Sequence, residues 1–148
     1  DWGHAKDYVK MQWLMLQQDN PKDYIIATGV QHSVRSFVEW AAKALDFEIE
    51  FRGEEENEVG VVSKIVGEKA ASLNVGQVIL RIDPRYFRLT EVDSLLGDST
   101  KAKKELGWQP TISVREMCTE MVDFDYKEAQ RAKLLKDYGL ELPSSLEA

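Results

Sequence analysis

The chain contains 148 residues, with 19 basic and 26 acidic side chains and a formal net charge of -7. Hydrophobic residues make up 43% and charged residues 30%, an ordinary globular composition that argues against intrinsic disorder. The length suits a single domain, and the net acidity argues against a nucleic-acid binder that works by broad charge neutralisation.

The first half of the chain alternates between helical and extended patterns. Residues 5–18 contain no helix breaker and predict a helix whose apolar side chains spread round nearly the whole circumference. Such a helix needs neighbours on several sides, so we expect the chain to be a fragment of a longer protein. The predicted strands cover residues 23–28, 47–51, 59–66 and 77–82, and a second helix, capped by Ser33, covers residues 34–45. This alternation favours an α/β fold.

Stronger start and stop signals mark the helices of the second half. Asp98 precedes a helix predicted over residues 99–106, and Gly107 follows it where a left-handed C-terminal cap belongs. Ser113 and Glu116 have the spacing of a capping box, which predicts a longer helix from residue 114 to about residue 136. Residues 97–101 resemble a phosphate-binding loop only superficially, and we interpret them as a helix cap.

Several kinds of site are absent from the sequence. Neither the glycine-rich dinucleotide fingerprint nor the phosphate-loop motif occurs. His4 and His32 lie far apart and only one cysteine is present, so we expect no metal site. That cysteine, Cys118, falls on the apolar stripe of its helix and is predicted to be a core residue rather than a nucleophile.

The cysteine count and the hydropathy also bear on location. With one cysteine no internal disulfide can form, and no run approaches the roughly 20 apolar residues that a membrane span needs. We therefore expect a cytoplasmic protein that binds neither nucleic acid nor a membrane.

The composition of residues 83–92 points to a ligand. This segment follows a predicted strand and places Arg85, Tyr86, Phe87, Arg88 and Glu91 close together. A guanidinium group donates paired hydrogen bonds to phosphate oxygens, and a carboxylate accepts hydrogen bonds from hydroxyl or N–H groups. Aromatic rings beside them can hold a base or a sugar. The segment therefore suits an anionic, hydroxyl-rich ligand such as a nucleotide sugar, with a simple surface salt bridge between Arg88 and Glu91 as the alternative.

Several motifs together carry a resemblance to a known family. They are Asp1-Trp2-Gly3-His4-Ala5-Lys6-Asp7-Tyr8-Val9, Ala27-Thr28-Gly29-Val30, His32-Ser33-Val34-Arg35, Asp83-Pro84-Arg85-Tyr86-Phe87-Arg88, Leu95-Leu96-Gly97-Asp98, Lys101-Ala102, Leu106-Gly107-Trp108 and Arg115-Glu116-Met117. Over essentially its whole length the chain resembles the C-terminal part of the GDP-mannose 4,6-dehydratases, which are extended short-chain dehydrogenase/reductase enzymes. The resemblance implies that residues 1–148 form a substrate-binding C-terminal region that lacks the NADP-binding Rossmann domain.

The resemblance also implies an activity for the parent protein. Members of the family are NADP-dependent lyases that convert GDP-mannose to GDP-4-keto-6-deoxymannose, the first committed step toward GDP-fucose. The cofactor and the catalytic Thr/Ser, Glu, Tyr and Lys belong to the N-terminal half. We therefore expect no catalytic residue in this chain, no activity from the chain alone, and a homo-oligomer for the full-length enzyme.

Two substrate-binding residues carry over from the family pattern Arg-Pro-x-Glu. The resemblance assigns Arg88 to the diphosphate of GDP-mannose and Glu91 to a hydroxyl or a guanine N–H. Leu89 replaces the family's usual proline, which loosens the loop because a fixed φ angle is lost. Arg85 is a weaker candidate that can instead brace the loop through an ion pair.

Two other interpretations stay open at the level of sequence. The chain can be a non-catalytic α/β interaction module whose acidic surface meets a basic partner. Alternatively, it can belong to a related dehydratase or epimerase that acts on a UDP- or dTDP-sugar.

Overall fold

The computed structural model describes residues 1–88 and 94–140. The helices are α1 (Ala5–Leu16), α2 (Val34–Ala44), α3 (Thr100–Leu106) and α4 (Val114–Asp137), and the strands are β1 (Phe47–Arg52), β2 (Val59–Ile65) and β3 (Val78–Arg81). The predicted mixture of helices and strands is confirmed. Each of these elements begins and ends within two residues of its predicted bounds.

The three strands form an antiparallel sheet in the order β1-β2-β3. In the central strand, Val59 pairs with Arg52 on one side and with Arg81 on the other. The apolar patterns indicated the strands but not their direction. The connection between β1 and β2 is too short for a parallel crossover, which needs a dozen or more residues.

The strand predicted over residues 23–28 is wrong. This segment is extended but unassigned, and no described strand pairs with it. Side chains hold it instead: Lys101 Nζ donates to the carbonyl oxygen of Asp23 at 2.9 Å, and Lys101 lies 5.0 Å from the centre of the Tyr24 ring. A β-strand requires a neighbour for its backbone groups, and the apolar run alone does not provide one.

Among the described residues, two apolar clusters hold helices and strands together. One lies between α2 and the sheet and consists of Ala42, Phe47, Val62 and Ala70. The other joins α1 to α3 and consists of Met11, Ala102 and Trp108. Cys118 of α4 is fully buried, with its Sγ 3.7 Å from the carbonyl oxygen of Phe37 in α2. Its predicted role as a core residue is confirmed.

Local capping matches the sequence signals closely. Gly107 ends α3 in the left-handed conformation, with φ at +65°. Asp98 accepts a hydrogen bond from the Thr100 N–H at 2.9 Å, which supports the interpretation of residues 97–101 as a helix cap. Both halves of the Ser113–Glu116 capping box are present at the start of α4.

Only part of the apolar surface of α1 is covered. Met11 is fully buried, whereas Val9, Trp13 and Leu16 are 60%, 59% and 81% exposed. This agrees with the expectation that the helix needs more neighbours than this chain supplies. Within residues 1–88 and 94–140, no helix combines the length and apolar character that crossing a membrane requires.

Candidate functional site

The arginine-rich loop begins as a short 3₁₀ turn after β3. Asp83 caps the turn, which spans Pro84–Tyr86, by accepting the Arg85 N–H at 3.0 Å. The same carboxylate accepts from the Arg85 guanidinium, with Nη2 at 2.6 Å and Nε at 3.1 Å. These hydrogen bonds lower the pKa of Asp83 and raise the pKa of Arg85. The structure therefore gives Arg85 the bracing role that the sequence left open.

Arg88 follows this braced turn and is exposed to solvent. Phe87, the residue before it, is partly buried and ends the turn. Glu91, the second predicted substrate-binding residue, and Leu89 lie outside the described residues. The assignment of Arg88 and Glu91 to a substrate therefore stays a prediction.

A second contact follows further along the chain, at Ser94. The Ser94 hydroxyl donates to Gln31 Oε1 at 2.9 Å. Asp83 thus braces the turn before Arg88, and Ser94 contacts the residues that follow Thr28.

The carboxylate of Asp1 holds the turn at Thr28 and Gly29 in place through hydrogen bonds. Asp1 Oδ1 accepts from the Thr28 N–H at 2.8 Å and also from the Thr28 hydroxyl, and Asp1 Oδ2 accepts from the Gly29 N–H at 3.0 Å. Gly29 has a φ angle of +75°, a conformation that glycine adopts without strain. Two motifs that are well separated in the sequence therefore form one structural unit.

Gly97 brings the residues before α3 against the same turn. A Cβ atom at this position would lie 2.3 Å from the Cβ atom of Ala27, so only glycine permits the contact. Two cavities, of about 370 Å³ and about 350 Å³, are both lined in part by Thr28. Asp98 and Lys103 line the first cavity, and His32 and Glu116 line the second. Polar groups in concave surfaces of this kind suit a ligand with several hydroxyl groups.

Asp7 of α1 binds the segment that includes Thr111 and Ile112, next to this region. Sequence reasoning did not identify this role. The Asp7 carboxylate is 3% exposed and accepts from the Thr111 hydroxyl at 2.7 Å, the Thr111 N–H at 2.9 Å and the Ile112 N–H at 3.0 Å. Burial by itself raises the pKa of Asp7, but these hydrogen bonds outweigh burial and the net effect is a lowered pKa. The Asp7 carbonyl oxygen also accepts from Trp108 Nε1 at 2.8 Å. An acidic residue in a first helical turn predicts favourable helix electrostatics, but not this tertiary network.

The described residues contain neither a metal site nor an activated thiol. No three His, Cys, Asp or Glu side chains among them are arranged to hold a metal ion. Burial raises the pKa of the Cys118 thiol, which disfavours the thiolate that a nucleophile needs.

Comparison with known proteins relates the chain to a family. The family model described as GDP-mannose 4,6 dehydratase matches residues 1–121. A GDP-mannose 4,6-dehydratase of Vibrio cholerae is 59% identical over 99% of this chain and 40% of its own length. One from Yersinia enterocolitica is 54% identical over the whole chain and 40% of its own length, and the human protein of that name is 47% identical over 84% of the chain and 31% of its own length.

These similarities extend through every motif described above. The chain spans about 40% of the length of the bacterial relatives and corresponds to their C-terminal part. The Asp1–Thr28 unit, the braced loop and the capped helix α3 all fall within the matched residues. The chain belongs to the GDP-mannose 4,6-dehydratase family, as a C-terminal portion of an extended short-chain dehydrogenase/reductase.

Proposed function

We propose that this chain is the substrate-binding portion of an NADP-dependent lyase that converts GDP-mannose to GDP-4-keto-6-deoxymannose. The observation that carries the proposal is the 59% identity to a GDP-mannose 4,6-dehydratase over 99% of the chain, a stretch that includes the turn braced by Asp83 and Arg85. A cytoplasmic location is part of the proposal, because a chain with a single cysteine suits a reducing compartment.

In this proposal Arg88 binds the diphosphate of GDP-mannose. Its guanidinium can donate two parallel hydrogen bonds to neighbouring phosphoryl oxygens. Both arginines are exposed, but Arg85 is paired with Asp83, so Arg88, which follows the turn, is the arginine assigned to the ligand. Glu91, outside the described residues, accepts a hydrogen bond from a hydroxyl or a guanine N–H.

The residues of this chain do not fit the cofactor itself. The described sheet is antiparallel, and the sequence has no glycine-rich turn between a strand and a helix that could hold a dinucleotide pyrophosphate. NADP supplies the hydride chemistry. The rest of the parent protein binds most of the NADP and also contains the catalytic residues. The part played by this chain is to bind and orient the nucleotide sugar, and the chain alone is inactive.

Substitution of Arg88 tests the binding role. In the active enzyme that contains this chain, Arg88→Ala removes a charge-assisted contact, and GDP-mannose affinity measured by calorimetry should fall by about 1.5–3 kcal/mol. Arg88→Lys should recover only part of the loss, because lysine lacks the planar fork. Arg81→Ala is the matched control, since Arg81 is an exposed arginine of the nearby strand β3. Unchanged affinity in Arg88→Ala together with lower stability would favour the salt-bridge interpretation.

Two further measurements separate the alternatives. Competition among GDP-mannose, UDP-sugars and dTDP-sugars identifies the nucleotide, and preferred binding of a UDP- or dTDP-sugar contradicts the proposed substrate. A turnover assay of the chain alone with NADP and GDP-mannose should yield no product. Product formation there would show that the chain carries catalytic residues of its own.

A further inference from the structure

The two aromatic residues of the arginine-rich turn, Tyr86 and Phe87, differ in burial. Tyr86 is 76% exposed, whereas Phe87 is partly buried. Arg88, the next residue, is exposed again, so exposure alternates along these three positions. The residue types do not distinguish the two rings. Their burial does, because it leaves Tyr86 as the ring that a ligand can cover.

Tyr86 and Arg88 lie close together on the solvent side of the segment. Phe87, between them, has a φ of -67° and a ψ of 129°, an extended conformation. The Cα atoms of residues two positions apart in an extended chain are separated by at most about 7 Å. The side chain of Phe87 is directed in part toward the protein, and the residues on either side of it are exposed. A ligand that covers the Tyr86 ring is therefore within reach of the Arg88 guanidinium.

The braced turn also fixes the Tyr86 ring. The Tyr86 N–H donates to the carbonyl oxygen of Asp83 at 3.0 Å. The guanidinium carbon of Arg85 lies over the Tyr86 ring, 5.5 Å from its centre, within the range of a cation–π contact. The Asp83 carboxylate accepts from Nε and Nη2 of that same guanidinium. Arg85 therefore covers one face of the ring and is itself held in place, and a planar ligand would bind the opposite face.

An aromatic face next to a guanidinium group matches the two ends of a nucleotide. A nucleobase stacks on an aromatic ring, and a guanidinium donates paired hydrogen bonds to phosphoryl oxygens. In a nucleoside diphosphate the ribose joins these two ends, so they bind to neighbouring residues. The charges follow the same division. The cation beside the ring, Arg85, is paired with Asp83, which suits an uncharged base, and Arg88 is the arginine assigned to the anionic end.

We propose that Tyr86 is the residue on which the nucleobase of the substrate stacks, next to the diphosphate at Arg88. This assignment rests on the proposed function, because it concerns the base of GDP-mannose. Every base has a π face, so the ring by itself does not distinguish guanine from adenine. A purine covers more of the ring than a pyrimidine does. Tyr86 therefore contributes to the preference for a purine nucleotide over a UDP- or dTDP-sugar.

Substitution of Tyr86 in the active enzyme that contains this chain tests the stack. Tyr86→Leu removes the aromatic face but keeps an apolar side chain, and GDP affinity measured by calorimetry should fall about tenfold. Tyr86→Phe keeps the ring and should bind GDP within about twofold of the original enzyme. Tyr138→Leu is the matched control, because Tyr138 is 80% exposed and lies at the C-terminal end of α4. Thermal unfolding checks that each variant is folded.

A ligand without a base separates stacking from any other effect of the substitution. Ribose 5-diphosphate has the ribose and the diphosphate of GDP but no base. Its affinity, measured by competition with GDP, should be the same in Tyr86→Leu as in the original enzyme. Arg88→Ala should instead weaken the binding of both ligands, because both contain the diphosphate. An equal loss for both ligands in Tyr86→Leu would mean that the ring only positions Arg88, and would refute the stack.

The remaining outcomes keep this inference distinct from the proposed function. A loss in Tyr86→Leu that is confined to ligands with a base supports the stack. If Arg88→Ala weakens GDP binding and Tyr86→Leu does not, the stack is refuted and the proposed function stands. If Tyr86→Leu weakens GDP-mannose but not GDP, the ring contacts the mannose and the assignment to the base is wrong. If the original enzyme binds neither GDP nor GDP-mannose, the proposed function fails and this inference fails with it.

Discussion

Replacement of Asp7 tests how α1 holds the segment behind the candidate site. In Asp7→Ala three hydrogen bonds are lost, and the backbone N–H groups of Thr111 and Ile112 lose their acceptor. A hydrogen bond to a charged group contributes about 1.5–3 kcal/mol, and bonds that share one carboxylate are not additive. We therefore expect Asp7→Ala to lower the free energy of unfolding by about 3–5 kcal/mol.

Asp7→Asn separates the charge from the geometry. The asparagine oxygen can accept from both backbone N–H groups while its amide donates to the Thr111 hydroxyl, so the network keeps its shape. What is lost is the negative charge, including its favourable position in the first turn of α1. We expect Asp7→Asn to cost about 1–2 kcal/mol near neutral pH, clearly less than Asp7→Ala.

The pH dependence provides the sharper criterion. The pKa of Asp7 is lowered in the folded state, so its ionised form stabilises the protein above the unfolded-state pKa of about 3.9. That contribution is lost as the pH falls from about 4 through the folded-state pKa. The stability difference between the original chain and Asp7→Asn should therefore shrink toward zero in acid.

Urea unfolding between neutral and acidic pH measures this difference. Asp19→Asn is the control, because Asp19 is an exposed carboxylate that follows α1. It should leave the pH profile nearly unchanged. A pH-independent cost for Asp7→Asn, or equal costs for Asp7→Asn and Asp7→Ala, would refute the role assigned to the carboxylate.

Two further predictions concern a cap and a buried thiol. Gly107→Ala puts a Cβ atom into a left-handed conformation and should lower stability by about 1–2 kcal/mol in thermal unfolding. Gly107→Asn should cost less, because asparagine tolerates this conformation, and equal costs would contradict the explanation. Cys118 is fully buried and its thiol pKa is raised, so Ellman's reagent should label it only as fast as the chain opens. Rapid labelling of the folded chain at mildly alkaline pH would contradict this burial, with urea-unfolded chain as the positive control.

The candidate loop shows how far sequence reasoning reaches. The residue types predict that Arg85 and Arg88 can each bind an anionic group, but they do not predict which of the two pairs with a carboxylate of the chain itself. The two arginines are alike in sequence, and only the described structure shows that Asp83 engages one of them. The predicted pairing of Arg88 with Glu91 on a substrate remains to be tested by the binding experiment above.

The sequence by itself determined the short-range features of this protein. The helix caps at Gly107 and Ser113, the helical periods and the strand patterns depend on residues a few positions apart, so they can be read locally. The tertiary structure decided the long-range contacts, such as Asp1 with Thr28 across 27 positions and Asp7 with Thr111 across 104. It also left residues 23–28 unpaired, because a strand depends on a neighbour that local sequence does not specify. Those contacts form only when folding brings distant segments together, so no periodicity or local motif predicts them.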